Sequence, residues 1–218
     1  IDLGTSGVRI AVINKQKQIL FTSSMQYPTG LEEWEDWTIC CTKLLTEIPK
    51  GIKERIISCA VAGTSGTLLA CKKNGEPLGK ALPYSFSFPE YSNEISKLFT
   101  QDCPGSSTSG SVGRALRLIS LYGNNILLMH QADWISGWIL NNWESGEEGN
   151  NLRMGWEISN RSWPVTFKNS KLLNCLPKIV SSGQLMGNIC NQKATELDLP
   201  KNLKVIAGTT DSNAGVLA

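Results

Sequence analysis

Two short stretches at opposite ends of this chain put a carboxylate beside glycines and hydroxyls. They are Ile1-Asp2-Leu3-Gly4-Thr5-Ser6-Gly7-Val8-Arg9 and Ala207-Gly208-Thr209-Thr210-Asp211-Ser212. A carboxylate can take a proton, and backbone N–H groups and hydroxyls in a tight turn can hold an anion. The combination suits phosphoryl transfer. An apolar strand delivering Asp2 into Gly4-Thr5-Ser6-Gly7, followed by Val8 to Ile13, predicts a β-hairpin whose turn is a candidate phosphate loop. Turns of this composition are common and most only reverse the chain, so the hairpin acquires meaning from its companions.

The elements that must position these residues can be read from periodicity. Residues 8–13 and 18–25 continue the opening strand as a meander, with Asn14-Lys15-Gln16-Lys17 as a polar turn. Trp34, Trp37, Cys41, Leu44, Leu45 and Ile48 recur at helical spacing, predicting an amphipathic helix that stops before Pro49-Lys50-Gly51. Ile56 to Ala62 is a continuous apolar run, expected as a strand covered on both faces that delivers Thr64 and Ser65 to its rim. Thr67 to Lys72 is expected to return as its hairpin partner, turning at Lys73-Asn74-Gly75. Helices are predicted at about 90–99, 111–122 and 131–142, and Val205 to Ala207 as a short last strand. No repeat, low-complexity stretch or long linker divides residues 1–218, which read as one domain. The chain starts inside a strand and stops inside a helix begun by Asp211-Ser212, where Val216 and Leu217 lack packing partners, so truncation at both ends is expected.

Composition excludes several classes. With 41% hydrophobic and 18% charged residues the chain can bury a sizeable core. Its 21 basic against 19 acidic residues give no electrostatic footprint for nucleic acid, and no apolar run approaches the ~20 residues needed to cross a bilayer. Seven cysteines without C-x-x-C spacing read as reduced core thiols of a cytoplasmic protein. No two glycines stand two apart, so a G-x-G-x-x-G fingerprint is impossible, and there is no Walker A sequence. The single histidine, His130, forbids H-E-x-x-H; in His130-Gln131-Ala132-Asp133-Trp134 it reads as structural, with Asp133 capping a helix and Trp134 packed beneath. Trp34 with Trp37, and Trp134 with Trp138, fall at helical spacing and read as core rather than as a sugar platform.

The two end segments, with Val61-Ala62-Gly63-Thr64-Ser65-Gly66-Thr67-Leu68-Leu69 and Asn74-Gly75-Glu76-Pro77-Leu78-Gly79 between them, resemble in order and spacing the amino-terminal half of an FGGY-type carbohydrate kinase. The chain is most similar to the ribulose kinase and xylulokinase-like branch of cyanobacteria and plants. The resemblance implies an α/β protein of the ribonuclease H-like (actin-like ATPase) fold, with a mixed sheet opening in a three-strand antiparallel meander and helices on both faces. It makes residues 1–218 the sugar-binding, catalytic-base domain and implies a carboxy-terminal nucleotide domain as partner, without which this chain would be inactive. It also implies ATP and Mg2+ as cofactors and a small sugar, a ketopentose such as ribulose or xylulose, as substrate.

A sugar hydroxyl is a poor nucleophile, so a carboxylate must accept its proton as the bond to phosphorus forms. The resemblance assigns that role to Asp211, where a helix start offers N–H groups to the carboxylate. It places the other catalytic carboxylate, Asp2, toward the phosphate, the sugar and Mg2+, the last through water. Gly4, Thr5, Ser6 and Gly7, with Thr209 and Thr210, match its phosphate side, and Thr64, Ser65 and Gly66 its sugar side. Arg9, on the same strand face as Gly7, either steadies the hairpin or serves the nucleotide side. The chain departs from the family at Ala62, at Tyr84-Ser85-Phe86, at Arg114 and at Gly146-Glu147-Glu148-Gly149-Asn150-Asn151-Leu152. These departures fall on the sugar side and leave the acceptor open. Two rival readings stand beside the kinase: an actin-like or Hsp70-like ATPase, and a catalytically relaxed sugar-binding pseudokinase. Convergence of Asp2, Ser65 and Asp211 on one cleft is what the kinase requires.

Overall fold

Alternation of buried and exposed residues builds the opening sheet: Leu3, Val8 and Ile10 face the core, while Arg9, Ala11 and Ile13 face out. The computed structural model describes residues 1–99 and 103–217, without the side chains of 215–217. Val216 and Leu217 therefore lie outside the described side chains. Strands β1 (Asp2–Leu3), β2 (Gly7–Ile13) and β3 (Ile19–Gln26) form the expected antiparallel meander. Helices α1 (Trp34–Thr46) and α2 (Lys50–Lys53) lead to β4 (Ser58–Gly63), which pairs parallel with β1. The chain continues through β5 (Leu68–Cys71), α3 (Ser92–Leu98), α4 (Ser111–Tyr122), β6 (Leu127–His130), α5 (Gln131–Leu140), β7 (Ser145–Glu147) and α6 (Glu148–Asn151). It closes with β8 (Lys178–Val180), β9 (Leu185–Asn188), α7 (Asn191–Glu196), β10 (Lys204–Thr210) and α8 (Asp211–Leu217). The main sheet has the order β3-β2-β1-β4-β10-β9, and β5-β6 and β7-β8 form separate ribbons. This is the expected mixed α/β actin-like ATPase fold. Among the described residues no helix is long and apolar enough to cross a membrane.

Three expectations are corrected. β5 is not the hairpin partner of β4; it pairs antiparallel with β6. Its four residues are all buried, and a strand apolar on both faces needs cover on both, which the rim of the main sheet does not offer. Gly66, at φ +101, turns the chain out of the sheet. The turn at Asn74-Gly75 does form, with Lys72 N–H donating to Glu76 O at 2.8 Å. Second, β4 is not covered on both faces, since Ser58 and Ala60 are exposed while Val61 and Gly63 are buried. Third, the last strand runs from Lys204 to Thr210, because a bulge carries pairing past Gly208.

The β5-β6 ribbon is a partition between two cores. Leu69, Cys71, Leu127 and Met129 join the cluster under the main sheet, with Leu3, Trp37, Val61 and Val205. Leu68, Ala70 and Leu128 face a second cluster, with Ile95, Val112, Leu118 and Phe167. The tryptophans pack as expected: Trp134 makes edge contacts with Trp34 and Trp37 at centroid distances of 5.6 and 6.1 Å.

Candidate active site

Parallel pairing of β1, β4 and β10 brings their carboxyl ends to one edge. Asp2 and Thr209 both lie in register with Ala62, and Leu3 and Thr210 with Gly63. The next residues of each strand, Gly4 to Ser6, Thr64 to Gly66 and Asp211, therefore leave the sheet side by side, neighbouring strands standing about 5 Å apart. The bulge between Ile206 and Thr209 places Gly208 so close to β4 that an added Cβ would lie 1.9 Å from Val61 O. A bulge re-aims the side chains beyond it, here those of Thr209, Thr210 and Asp211.

On the hairpin side, Gly7 is obligatory: a Cβ there would meet Met25 O at 2.2 Å. Gly4 N–H closes the turn on Gly7 O at 2.9 Å, and Thr5 and Ser6 are exposed at its tip. Asp2, half-exposed, faces Arg9 across β2, with Arg9 Nη1 3.5 Å from its carboxylate. Both ends of this pair reach solvent, so it adds little to stability.

Past the end of β4, Ser65 is partly exposed, whereas Thr64 is buried with its hydroxyl 2.7 Å from Gln131 Oε1. Gly66 is buried among Arg114, Ser111 and Arg153. Arg153 Nη1 donates to Ser65 O at 3.4 Å. Arg114 Nη1 donates to Tyr84 O and Phe86 O at 3.0 and 2.6 Å, and Nη2 to Ser109 O at 3.2 Å. Burial, reinforced by Arg153, lowers the Arg114 pKa to about 10, so it remains cationic at neutral pH. Thr210 is buried and accepts the Asn213 N–H at 3.2 Å, the contact of a helix N-cap. Asp211 is thus not the cap of α8. Its Oδ1 accepts from Ser212 N–H at 2.7 Å, and its side chain is partly exposed.

Behind this edge lies a buried polar cluster. His130 is fully buried with Nε2 3.0 Å from Ser111 Oγ; burial first, then Arg114, lowers its pKa to about 3, so the ring stays neutral. That fits the structural reading. Asp133, expected to cap α5, does not: it accepts from Glu147 N–H, Asn150 Nδ2 and Asn151 Nδ2 at 3.0 to 3.1 Å and ties α5 to α6 instead. Burial raises its pKa to about 7. Glu147 caps α6, accepting from Gly149 and Asn150 N–H groups at 2.8 Å. Gly149 then approaches so closely that its missing Cβ would meet Thr209 Oγ1 at 3.0 Å. Two cavities lie elsewhere. One, of about 840 Å³, opens at the amino ends of the parallel strands among Ile1, Ile13, Ile48 and Ile57; the other, of about 430 Å³, lies around Phe99 and Trp156. Asp2, Ser65 and Asp211 line neither and stand on an open edge.

No protein-family model matches the sequence. Solved structures do match. Xylulose kinase from Rhodospirillum rubrum superposes with a TM-score of 0.86 at 15% identity, over 100% of this chain and 50% of its own. A carbohydrate kinase from Novosphingobium aromaticivorans gives 0.84 at 18%, over 100% and 50%. Plasmodium falciparum glycerol kinase with ADP gives 0.83 at 16%, over 99% and 48%. This chain has a sugar-kinase fold. It spans about half the length of the kinases it matches. Within the sugar-kinase fold, the edge formed by β1, β4 and β10 holds residues that sequence reasoning did not single out as site residues: Tyr84, Gln131, Arg153 and Glu147. Tyr84, Gln131 and Glu147 lay within motifs already noted, but the links of Tyr84 to Thr5 and of Gln131 to Tyr27 join residues 79 and 104 positions apart.

Proposed function

We propose that this chain is the acceptor-side half of an ATP-dependent sugar kinase, acting on a ketopentose such as ribulose or xylulose, with a nucleotide-binding domain following it. The observation that carries the reading is the register of β1, β4 and β10, which sets Asp2, Ser65 and Asp211 at neighbouring strand ends. The half-length match to solved kinases supports the division into two domains. Asp211, released from capping by Thr210, is the general base that takes the proton of the acceptor hydroxyl. Ser65 donates to and accepts from the sugar hydroxyls. Thr5 and Ser6 face the phosphates, and Asp2 faces both phosphate and sugar.

ATP supplies the phosphoryl group, and Mg2+ offsets the negative charge that develops on it. Among the described residues no group of three His, Cys, Asp or Glu side chains could cage an ion. Mg2+ binds through one or two carboxylates and the substrate phosphates, and the half-exposed carboxylate of Asp2 would hold it, through water.

The test is Asp211→Asn in the full-length kinase, against a panel of ketopentoses and pentitols. The expected outcome is a fall in kcat of about 10²- to 10⁴-fold with sugar binding retained. A loss below about tenfold refutes the assignment of the base.

A further inference from the structure

A ring of hydrogen bonds begins and ends on the phosphate hairpin. Thr5 Oγ1 lies 3.2 Å from Tyr84 OH. Tyr84 N–H donates to Thr67 Oγ1 at 3.3 Å, and the Thr67 and Thr64 hydroxyls stand 2.7 Å apart. Thr64 Oγ1 is also 2.7 Å from Gln131 Oε1, which accepts the Thr64 N–H at 3.2 Å. Gln131 Nε2 donates to Tyr27 OH at 3.1 Å, and Tyr27 N–H returns to Ser6 O at 3.0 Å.

Proton counting sets the direction of the inner links. The Gln131 oxygen only accepts, so it takes the single Thr64 hydroxyl proton; Thr67 then donates to Thr64 and receives the Tyr84 N–H. Thr64, Thr67 and Gln131 are buried, where a polar group left without its partner is costly. Tyr84 is held on both sides of its backbone, by Thr67 at its N–H and by Arg114 at its carbonyl. Its phenol reaches the exposed hairpin from a fixed base. Ser65 sits in the loop between Thr64 and Thr67, so one set of bonds ties the acceptor loop to the phosphate turn. Phosphoryl transfer depends on such relative placement, where an error of about 1 Å can cost about a hundredfold in rate.

We propose that Tyr84 is a positioning residue that fixes Thr5 through its phenol and registers the phosphate hairpin against the Ser65 loop through Thr67, Thr64, Gln131 and Tyr27. This rests on the kinase reading above. Tyr84→Phe in the full-length kinase keeps the ring and removes only the phenol oxygen. The expected result is a rise in KM for ATP and a fall in kcat, each about three- to tenfold, with KM for the sugar and the melting temperature unchanged. In a Thr5→Val background the same change adds less than about twofold, because the contact is already gone. A merely structural tyrosine would instead lower the melting temperature and move both KM values together, and that outcome overturns the proposal. So does an active wild type whose Tyr84→Phe variant is unaltered. A wild type that phosphorylates no sugar refutes the kinase reading itself, and the proposal with it.

Discussion

Replacing Gly208 with alanine should be among the most damaging single-methyl additions in this chain. The new Cβ would lie 1.9 Å from Val61 O and 2.7 Å from Val61 C, both backbone atoms of β4 that cannot rotate away. Ordinary contact begins near 3.4 Å, so β10 must retreat by more than 1 Å. Retreat stretches one or two ladder bonds beyond hydrogen-bonding range. Each leaves buried donors and acceptors unmet, at a cost of about 1–3 kcal/mol, for a total of about 1–6 kcal/mol. In a chain of this size that lowers Tm by roughly 10 °C. The assay is thermal unfolding followed by circular dichroism, with Gly51→Ala as control, since nothing lies within 4 Å of a Cβ at Gly51. A Gly208→Ala protein that melts within about 2 °C of wild type would refute the view that the bulge is wedged against β4.

On the proposed function, Asp2→Ala in the full-length protein should raise KM for MgATP and for the sugar together and lower kcat; unchanged values for all three would show Asp2 to be only structural. The His130 and Asp133 shifts predict a pH signature. Neutral His130 contributes stability that is present above the unfolded value near 6.5 and is lost as pH falls toward 3, whereas Asp133, raised to about 7, contributes stability that is lost as pH rises through that value. The two offset each other between about pH 4 and 6.5. His130→Gln leaves the Asp133 trend uncovered, so urea denaturation should find the variant gaining stability from pH 7 to pH 5, and a decline would contradict the assignment.

The three strand ends were legible because each places hydroxyls and glycine directly after an apolar run, a local pattern that needs no knowledge of partners. The length of β10 was not, since Gly208-Thr209-Thr210 has no apolar period and its pairing depends on a bulge. The partner of β5 was hidden for a related reason: Leu68 to Cys71 announces burial on both faces but not against what. Asp133 misled because a helix-start aspartate usually caps its own helix, and only the fold shows the end of β7 supplying one donor to it and α6 two. The ring through residues 5, 84, 67, 64, 131, 27 and 6 has only one short-range link, Thr64 to Thr67; the others join segments that meet only after folding.

The shared wall formed by β5 and β6 bears on how such a protein changes over time. Leu69 and Met129 belong to the interior that carries the strand ends, while Leu68 and Leu128, on the reverse side, belong to the other. Substitutions beyond the wall, around Ile95, Leu118 and Phe167, can accumulate and repack without reaching the sheet that holds Asp2 and Asp211. Arg114, which fastens the 84–86 segment to α4, stands on that freer side. On the proposed function, a change in the second core would shift the setting of the 84–86 segment through Arg114 while the interior beneath Asp2 and Asp211 keeps its packing.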